Sequence, residues 1–483
     1  MNQQATPLFD AVKQHIRDGV IPFHVPGHKY GRGIAELREC LGDQTLMMDL
    51  NGMKDLDYAS NPSGVIAEAQ QLAASAFGAD DAYFLVNGTT SGVQTMIMSA
   101  CAPGSEIILP RNAHRSTIGG IILSGAIPVY VQPEIHPGLG IAMGVSVESV
   151  SRAIRKHPHA SAVFVINPTY YGAASDLVSI VNLAHFNNMA VLADEAHGAH
   201  MYFHDDFPIT AMAAGADMSA ASIHKTAGSL TQSSILLHRT GLVPPEKVAE
   251  SLRLHYTSSA SYLLLCSLDV ARKQLGVNGR AMLEQTLQLS RRIRERLNTI
   301  PELYAFGPEL VGSPGCFGFD ETKLGIHCTG LGLTGYQTEA VLRDKYRIQV
   351  ELSDMNNILA LMSIGDSNEA AETLVKALQD LALSRASAPS IRPPEAPHCP
   401  EVIVSPRDAF YSPKKVLRLE SSIGEVAGEM VMAYPPGIPV ICMGERITAE
   451  IVDYIKLLKE QRCELQGAVD PEVNTIRVLG QTG

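Results

Sequence analysis

The chain has 483 residues, enough for more than one domain and a large buried core. Its 46% hydrophobic and 18% charged residues exclude a disordered chain. A formal charge of −12 argues against nucleic acid as a partner, because phosphate binding needs clustered Lys and Arg.

No uncharged run reaches the ~18 residues of a membrane span. MNQQATPLFDAVKQHI has no apolar core with basic flanks, so no signal peptide is expected. The eight cysteines are scattered without a CxxC pair, which predicts reduced thiols in a cytoplasmic protein and no metal site.

Residues 1–60 read as an N-terminal arm, with FHVPGHKYGRG (Phe23 to Gly33) as a loop. The spacing of Ile66, Ala69, Ala73, Ala76 and Phe77 predicts a helix over Asn61 to Gly78, stopped by Gly78. From about residue 80 to 240, apolar runs alternate with helical stretches. They are Tyr83–Val86, Ile107–Leu109, Val129–Val131, Val163–Ile166, Val191–Ala193 and Ile235–Leu237, a pattern of βαβ units around a mostly parallel sheet with helices on both faces. Polar clusters follow several of these runs. VNGTTSG leads into a helical stretch and is the best anion-site candidate, since a helix N-terminus presents free N–H groups and a favourable dipole. An ordinary capped helix start is the competing reading.

The chemistry converges on Asp194 to Lys225. An apolar run stops at Asp194, and a short small-residue run, Met218 to Ala221, leads into Ser222-Ile223-His224-Lys225. Ligands of open α/β sheets bind at the carboxyl edge of the strands. An acid and a lysine at that edge suit pyridoxal phosphate, the lysine forming a Schiff base and the acid keeping the pyridine nitrogen protonated. Two unconnected surface residues would be the bland alternative. Further on, residues 260–276 and 280–298 read as two helices, and Thr334 with Gln337 forms a capping-box pattern. The expected partition is a 61–276 large domain, a 277–383 small α+β domain, a Pro/Ala/Ser-rich linker over 384–400 and a 401–483 C-terminal domain.

With FHVPGHKYG, VNGTTSG, PRNAHRS, INPTYYG, DEAHGAH, SIHK, SYLLLCSLDVAR, RDAFY and YPPGIPV in one order, the chain resembles the Orn/Lys/Arg decarboxylase family. Within it, the chain is most similar to the short arginine decarboxylases of Gram-positive type. The resemblance implies the type I, aspartate-aminotransferase-like fold of pyridoxal-phosphate enzymes. It assigns Lys225 as the Schiff-base lysine, His224 as its neighbour, Asp194 as the pyridine-nitrogen partner and His114 as the imidazole stacked on the ring. Ser222, Thr90 and Ser91 would contact the phosphate, and Ala196 and His197 would lie along the ring. Ser258 or Ser259 of a neighbouring subunit would complete the phosphate site in a homodimer with shared active sites; a higher homo-oligomer is left open.

The implied reaction is α-decarboxylation of a basic amino acid, L-arginine to agmatine, feeding polyamine biosynthesis. Lysine and ornithine are the alternative substrates; another type I enzyme (aminotransferase or aldolase) and a non-catalytic cofactor-binding regulator are the rival readings. Asp408, Glu420, Glu425 and Glu429 are the candidate acids for the substrate's distal cation. Arg111 and Arg115 would contradict a decarboxylase if they clasped the substrate carboxylate, and they are expected to face an interface or solvent.

Overall fold

The computed structural model describes residues 1–385, 397–433 and 438–480. Most of the expected 384–400 linker, and the turn expected at residues 434–437, lie outside the described residues. The chain forms two compact units, residues 1–99 with 190–284, and residues 100–189 with 285–483.

In the first unit four strands run in the order Asp81–Leu85, Ser234–His238, Met218–Ala221, Ala190–Glu195. The last two pair in parallel, and Ser234–His238 is antiparallel to both its neighbours. Every residue of the three strands after Asp81–Leu85 is buried, which explains why they read as continuous apolar or small-residue runs rather than alternating ones. The helix expected from Asn61 begins at Val65 and runs to Phe77, with Ile66, Ala69, Ala73 and Phe77 buried and Gly78 left-handed as its stop. Its N-terminus is held from a distance. Asp57 accepts N–H bonds from Ser63, Gly64 and Ile66 at 2.7 to 3.2 Å.

In the second unit Glu106–Pro110 lies parallel to both Ile127–Val131 and Ala162–Ile166. A separate antiparallel sheet runs Leu352–Ser353, Asn357–Leu361, Lys323–His327, Tyr304–Phe306. Helices Gly335–Tyr346 and Asn368–Arg385 supply Leu342, Leu374, Leu378 and Leu381 to the core it shares with Ile326 and Ile358. The Thr334–Gln337 capping box forms as expected. Small antiparallel sheets near the C-terminus, including Lys414–Arg418 with Thr475–Leu479, pack with helix Ala449–Glu460 around Ile451, Ile455 and Val478. The fold is therefore α/β, with a mixed, mostly parallel central sheet and smaller α+β parts.

Two expectations need correction. Residues 260–276 and 280–298 are one helix, Tyr262–Leu297, of 36 residues. Gly276 does not stop it: a Cβ there would lie 3.1 Å from the Gln3 side chain, and one on Gly279 would lie 3.0 Å from Phe203. These glycines serve close approach rather than termination. Ser384 and Arg385 complete helix Asn368–Arg385 instead of opening a linker. Among the described residues no helix is long and apolar enough to cross a membrane.

Candidate active site

The parallel register of two buried strands builds the site in the first unit. Asp194 is paired with Ala220 and Glu195 with Ala221, so both chains leave the sheet at the same edge. Ser222 follows at once, and the short helix Ile223–Thr226 carries Lys225. Lys225 Nζ lies 3.0 Å from His197 Nε2. Asp194, which is 6% exposed, accepts the Ala196 N–H at 3.0 Å through Oδ1. Burial pushes the Asp194 carboxyl above its ordinary range, and the Ala196 N–H and the Lys225 charge pull it back only in part. A buried carboxylate under that strain is eased by a cationic partner.

The neighbouring Glu195 points to the opposite side of the strand, as the two-residue period requires. It is fully buried and accepts bonds from Ser219 Oγ at 2.6 Å, the Ala211 N–H at 2.8 Å and the Tyr202 hydroxyl. This acid anchors the strand end on which Asp194 sits, a positioning role that sequence reasoning missed.

VNGTTSG behaves as a helix start. Helix Gly88–Ala100 begins within it, with Gly88 at φ +70°, and its first-turn N–H groups have no intrahelical partners. Helix and sheet approach closely at Gly92, where a Cβ would stand 2.8 Å from Leu85 Cδ1 and 3.0 Å from Ala220 Cβ. Thr89 is the threonine turned inward: its Oγ1 is 2.6 Å from Ser222 Oγ and 3.0 Å from Ser234 Oγ. Thr90 is exposed beside it, and Ser91 Oγ donates to the Gly88 carbonyl at 2.9 Å. Ser222 and the threonine-serine turn thus come together, through a residue the sequence reading did not select. Helix phase, with Gly88 as the first residue, is the signal that could have identified it.

His224 Nδ1 lies 2.8 Å from the Ser233 carbonyl, which fixes the N–H on that nitrogen and leaves Nε2 as the basic one. Ser258 and Ser259 are both exposed. In the second unit, His114 caps helix Arg115–Ser124, its Nδ1 accepting the Ser116 N–H at 3.2 Å. Arg115 is exposed. Arg111 departs from expectation: it is 8% exposed, donates to Glu445 at 2.8 Å and to the Pro439 carbonyl at 3.0 Å, and so faces its own unit's interior.

The four candidate substrate acids are all engaged locally. Asp408 accepts from the capping Ser405 hydroxyl, Glu420 pairs with Lys456 at 3.2 Å and Glu425 with Lys415 at 2.9 Å. Glu429 is buried and accepts the Val469 and Arg477 N–H groups. They do not gather into one cluster.

A half-buried lysine, a buried acid and clustered hydroxyls at a helix N-terminus are a donor set that could hold an aldehyde, a pyridinium and a phosphate. Comparisons with known proteins agree with this chemistry. The profile for Orn/Lys/Arg decarboxylase, major domain, matches residues 6–326, and that for the C-terminal domain matches residues 396–477. The arginine decarboxylase of Bacillus anthracis is 46% identical, over 99% of this chain and 98% of that protein. The arginine decarboxylase of Bacillus subtilis (strain 168) is also 46% identical, over 99% of each chain. Among solved structures, the Francisella novicida lysine decarboxylase LdcF superposes with a TM-score of 0.84 at 20% identity, covering 99% of this chain and 81% of that one.

Proposed function

The chain belongs to the Orn/Lys/Arg decarboxylase family, and from that premise we propose that it converts L-arginine to agmatine and CO2 with pyridoxal 5′-phosphate as cofactor. The observation that carries the reading is the placement of buried Asp194, within the charge influence of half-buried Lys225, at one edge of a parallel strand pair. The arginine substrate rests on the two Bacillus relatives.

When bound, pyridoxal phosphate supplies the electron sink for the pair released as the bond from Cα to the carboxylate breaks. Lys225 would hold its aldehyde through the side-chain amine, and Asp194 would face the pyridine nitrogen. The anionic carboxylate there favours the protonated ring, and the ring's charge in turn relieves the buried acid. The Ser222 hydroxyl, the exposed Thr90 and the first-turn N–H groups after Gly88 would take the phosphate. Ala196 and His197 would line the ring, and His114 keeps the stacking role that the family resemblance gives it. Loss of CO2 leaves Cα needing one proton, which Lys225 or His224 Nε2 can return. His197, sharing a proton with Lys225, sets which of the two is charged. The exposed Ser258 and Ser259 are offered to the phosphate of a second subunit, in a homodimer with shared sites.

The test is to load the protein with pyridoxal phosphate and supply arginine, lysine and ornithine separately, following CO2 and the amine. Arginine should give equimolar CO2 and agmatine at the highest kcat/KM. Lysine or ornithine as the better substrate would overturn the arginine assignment, and no CO2 from any of the three would overturn the decarboxylase. Lys225→Ala should abolish turnover and the long-wavelength absorbance of the bound cofactor.

A further inference from the structure

One cavity of the second unit, about 340 Å³ in volume, is lined by an acid and four tyrosines, Tyr170, Tyr171, Tyr336 and Tyr454, brought from three separate stretches of the chain. Asp354 Oδ1 accepts the backbone N–H of Asn356 at 2.7 Å and of Asn357 at 2.8 Å. Its Oδ2 accepts the Tyr171 hydroxyl at 2.5 Å, and Asn357 Nδ2 donates to both oxygens at 3.1 and 3.2 Å. All of these donors are neutral. Among the described residues Asp354 has no ion-pair partner, although burial pushes its carboxyl upward. Burial raises the hydroxyl pKa of both Tyr336 and Tyr454, and the charge of Asp354 adds to each shift, so these tyrosines stand within its field.

Turn capping explains part of this arrangement. Asp354 closes the turn to Asn357, and its N–H donates to the Asn357 carbonyl at 2.9 Å. An asparagine or serine would cap that turn without placing a charge on the cavity wall. Capping also gives no reason for four tyrosines around one cavity. Arg111 lines the cavity too, but Glu445 already neutralises it at 2.8 Å, so it is not the missing counter-charge. A half-buried carboxylate on a cavity wall, with only neutral donors, can still take up a cation from the cavity. Tyrosine rings add attraction for ammonium and guanidinium groups, and the apolar Leu352 and Ile438 in the wall suit methylenes.

We propose that this cavity binds an organic cation, a guanidinium or ammonium group on a short alkyl chain, with Asp354 as its counter-ion. Such binding involves no bond making. It goes beyond the decarboxylase reading, whose candidate acids for the substrate's distal cation are Asp408, Glu420, Glu425 and Glu429 and not Asp354.

The test uses the full-length, cofactor-loaded protein and two isosteric probes, n-butylguanidinium and neutral n-butylurea, titrated by calorimetry. Neither probe carries the α-amino acid group. The guanidinium should bind roughly tenfold or more tightly than the urea. Asp354→Asn, which keeps the capping oxygen, should lose about tenfold in guanidinium affinity with the urea little changed. Tyr336→Leu is the second variant, should Asp354→Asn fail to fold, and should weaken the guanidinium several-fold. No binding to the native protein, equal affinity for the two probes, or guanidinium affinity unmoved by both substitutions would overturn the cavity assignment. CO2 release from arginine, measured on the same preparation, tests the decarboxylase reading separately, so either can fail while the other stands.

Discussion

Lys225 Nζ and His197 Nε2 stand 3.0 Å apart at the buried sheet edge. Two cations at that distance would repel strongly, so the pair shares one proton, carried either as ammonium donating to a neutral ring or as imidazole N–H donating to a neutral amine. Replacing His197 with Leu removes the acceptor and should cut kcat by roughly 10- to 100-fold, the rate equivalent of one buried charge-assisted hydrogen bond. His197→Gln retains an acceptor and should recover much of the loss. Equal kcat for the Leu and Gln variants, measured by CO2 release, would show that the contact is packing alone.

Asp194 predicts a trade between stability and chemistry. Burial raises its folded-state pKa, and the Ala196 N–H and Lys225 counter this only in part. An acid with a raised folded pKa contributes stability at low pH that is lost as pH rises through the folded value. Asp194→Asn should therefore raise the Tm of the cofactor-free protein at pH 7 by roughly 1 to 3 °C, while decarboxylation falls at least ~100-fold. The Tm gain should grow from pH 5 to pH 8. A variant less stable than the native protein across that range would mean that the Lys225 attraction outweighs burial.

Asp57 has the opposite sign. Burial alone would raise its carboxyl, but the N–H groups of Ser63, Gly64, Tyr58 and Ala67 outweigh it and hold the pKa below its ordinary value. Its stability contribution is therefore complete above the unfolded-state pKa and disappears as pH falls through the folded one. Asp57→Ala uncaps helix Val65–Phe77 and should cost about 2 kcal/mol in chemical denaturation at pH 7. That cost should shrink below about pH 4. A cost independent of pH would assign the effect to backbone conformation, since Asp57 sits at φ +70°.

The strand positions, and the placement of Asp194 and Lys225 after strands that end at one sheet edge, were legible because buried strands write themselves as apolar runs ending in polar residues. The antiparallel placement of Ser234–His238 was not legible, since a strand buried on both faces carries no mark of direction. Gly276 misled because the sequence does not distinguish a glycine that ends a helix from one that admits a neighbour, here Gln3. Thr89 was passed over for Thr90 because one residue of helix phase decides which hydroxyl meets Ser222. The cavity around Asp354 draws Tyr171, Tyr336 and Tyr454 from three distant stretches, so no local motif announces it.

Arg111 provides the sharpest test of the second unit. Its guanidinium is buried against Glu445, whose Oε2 also accepts the Cys442 N–H at 2.7 Å. Removing one partner strands the other charge away from water, whereas removing both removes the desolvation cost with the attraction. Arg111→Met and Glu445→Leu should each destabilise by about 3 to 5 kcal/mol. The double variant should cost clearly less than the sum, with a coupling of roughly 1 to 3 kcal/mol in a double-mutant cycle. Additive costs in chemical denaturation would mean that the Pro439 and Cys442 backbone contacts, rather than the ion pair, hold this part of the second unit together.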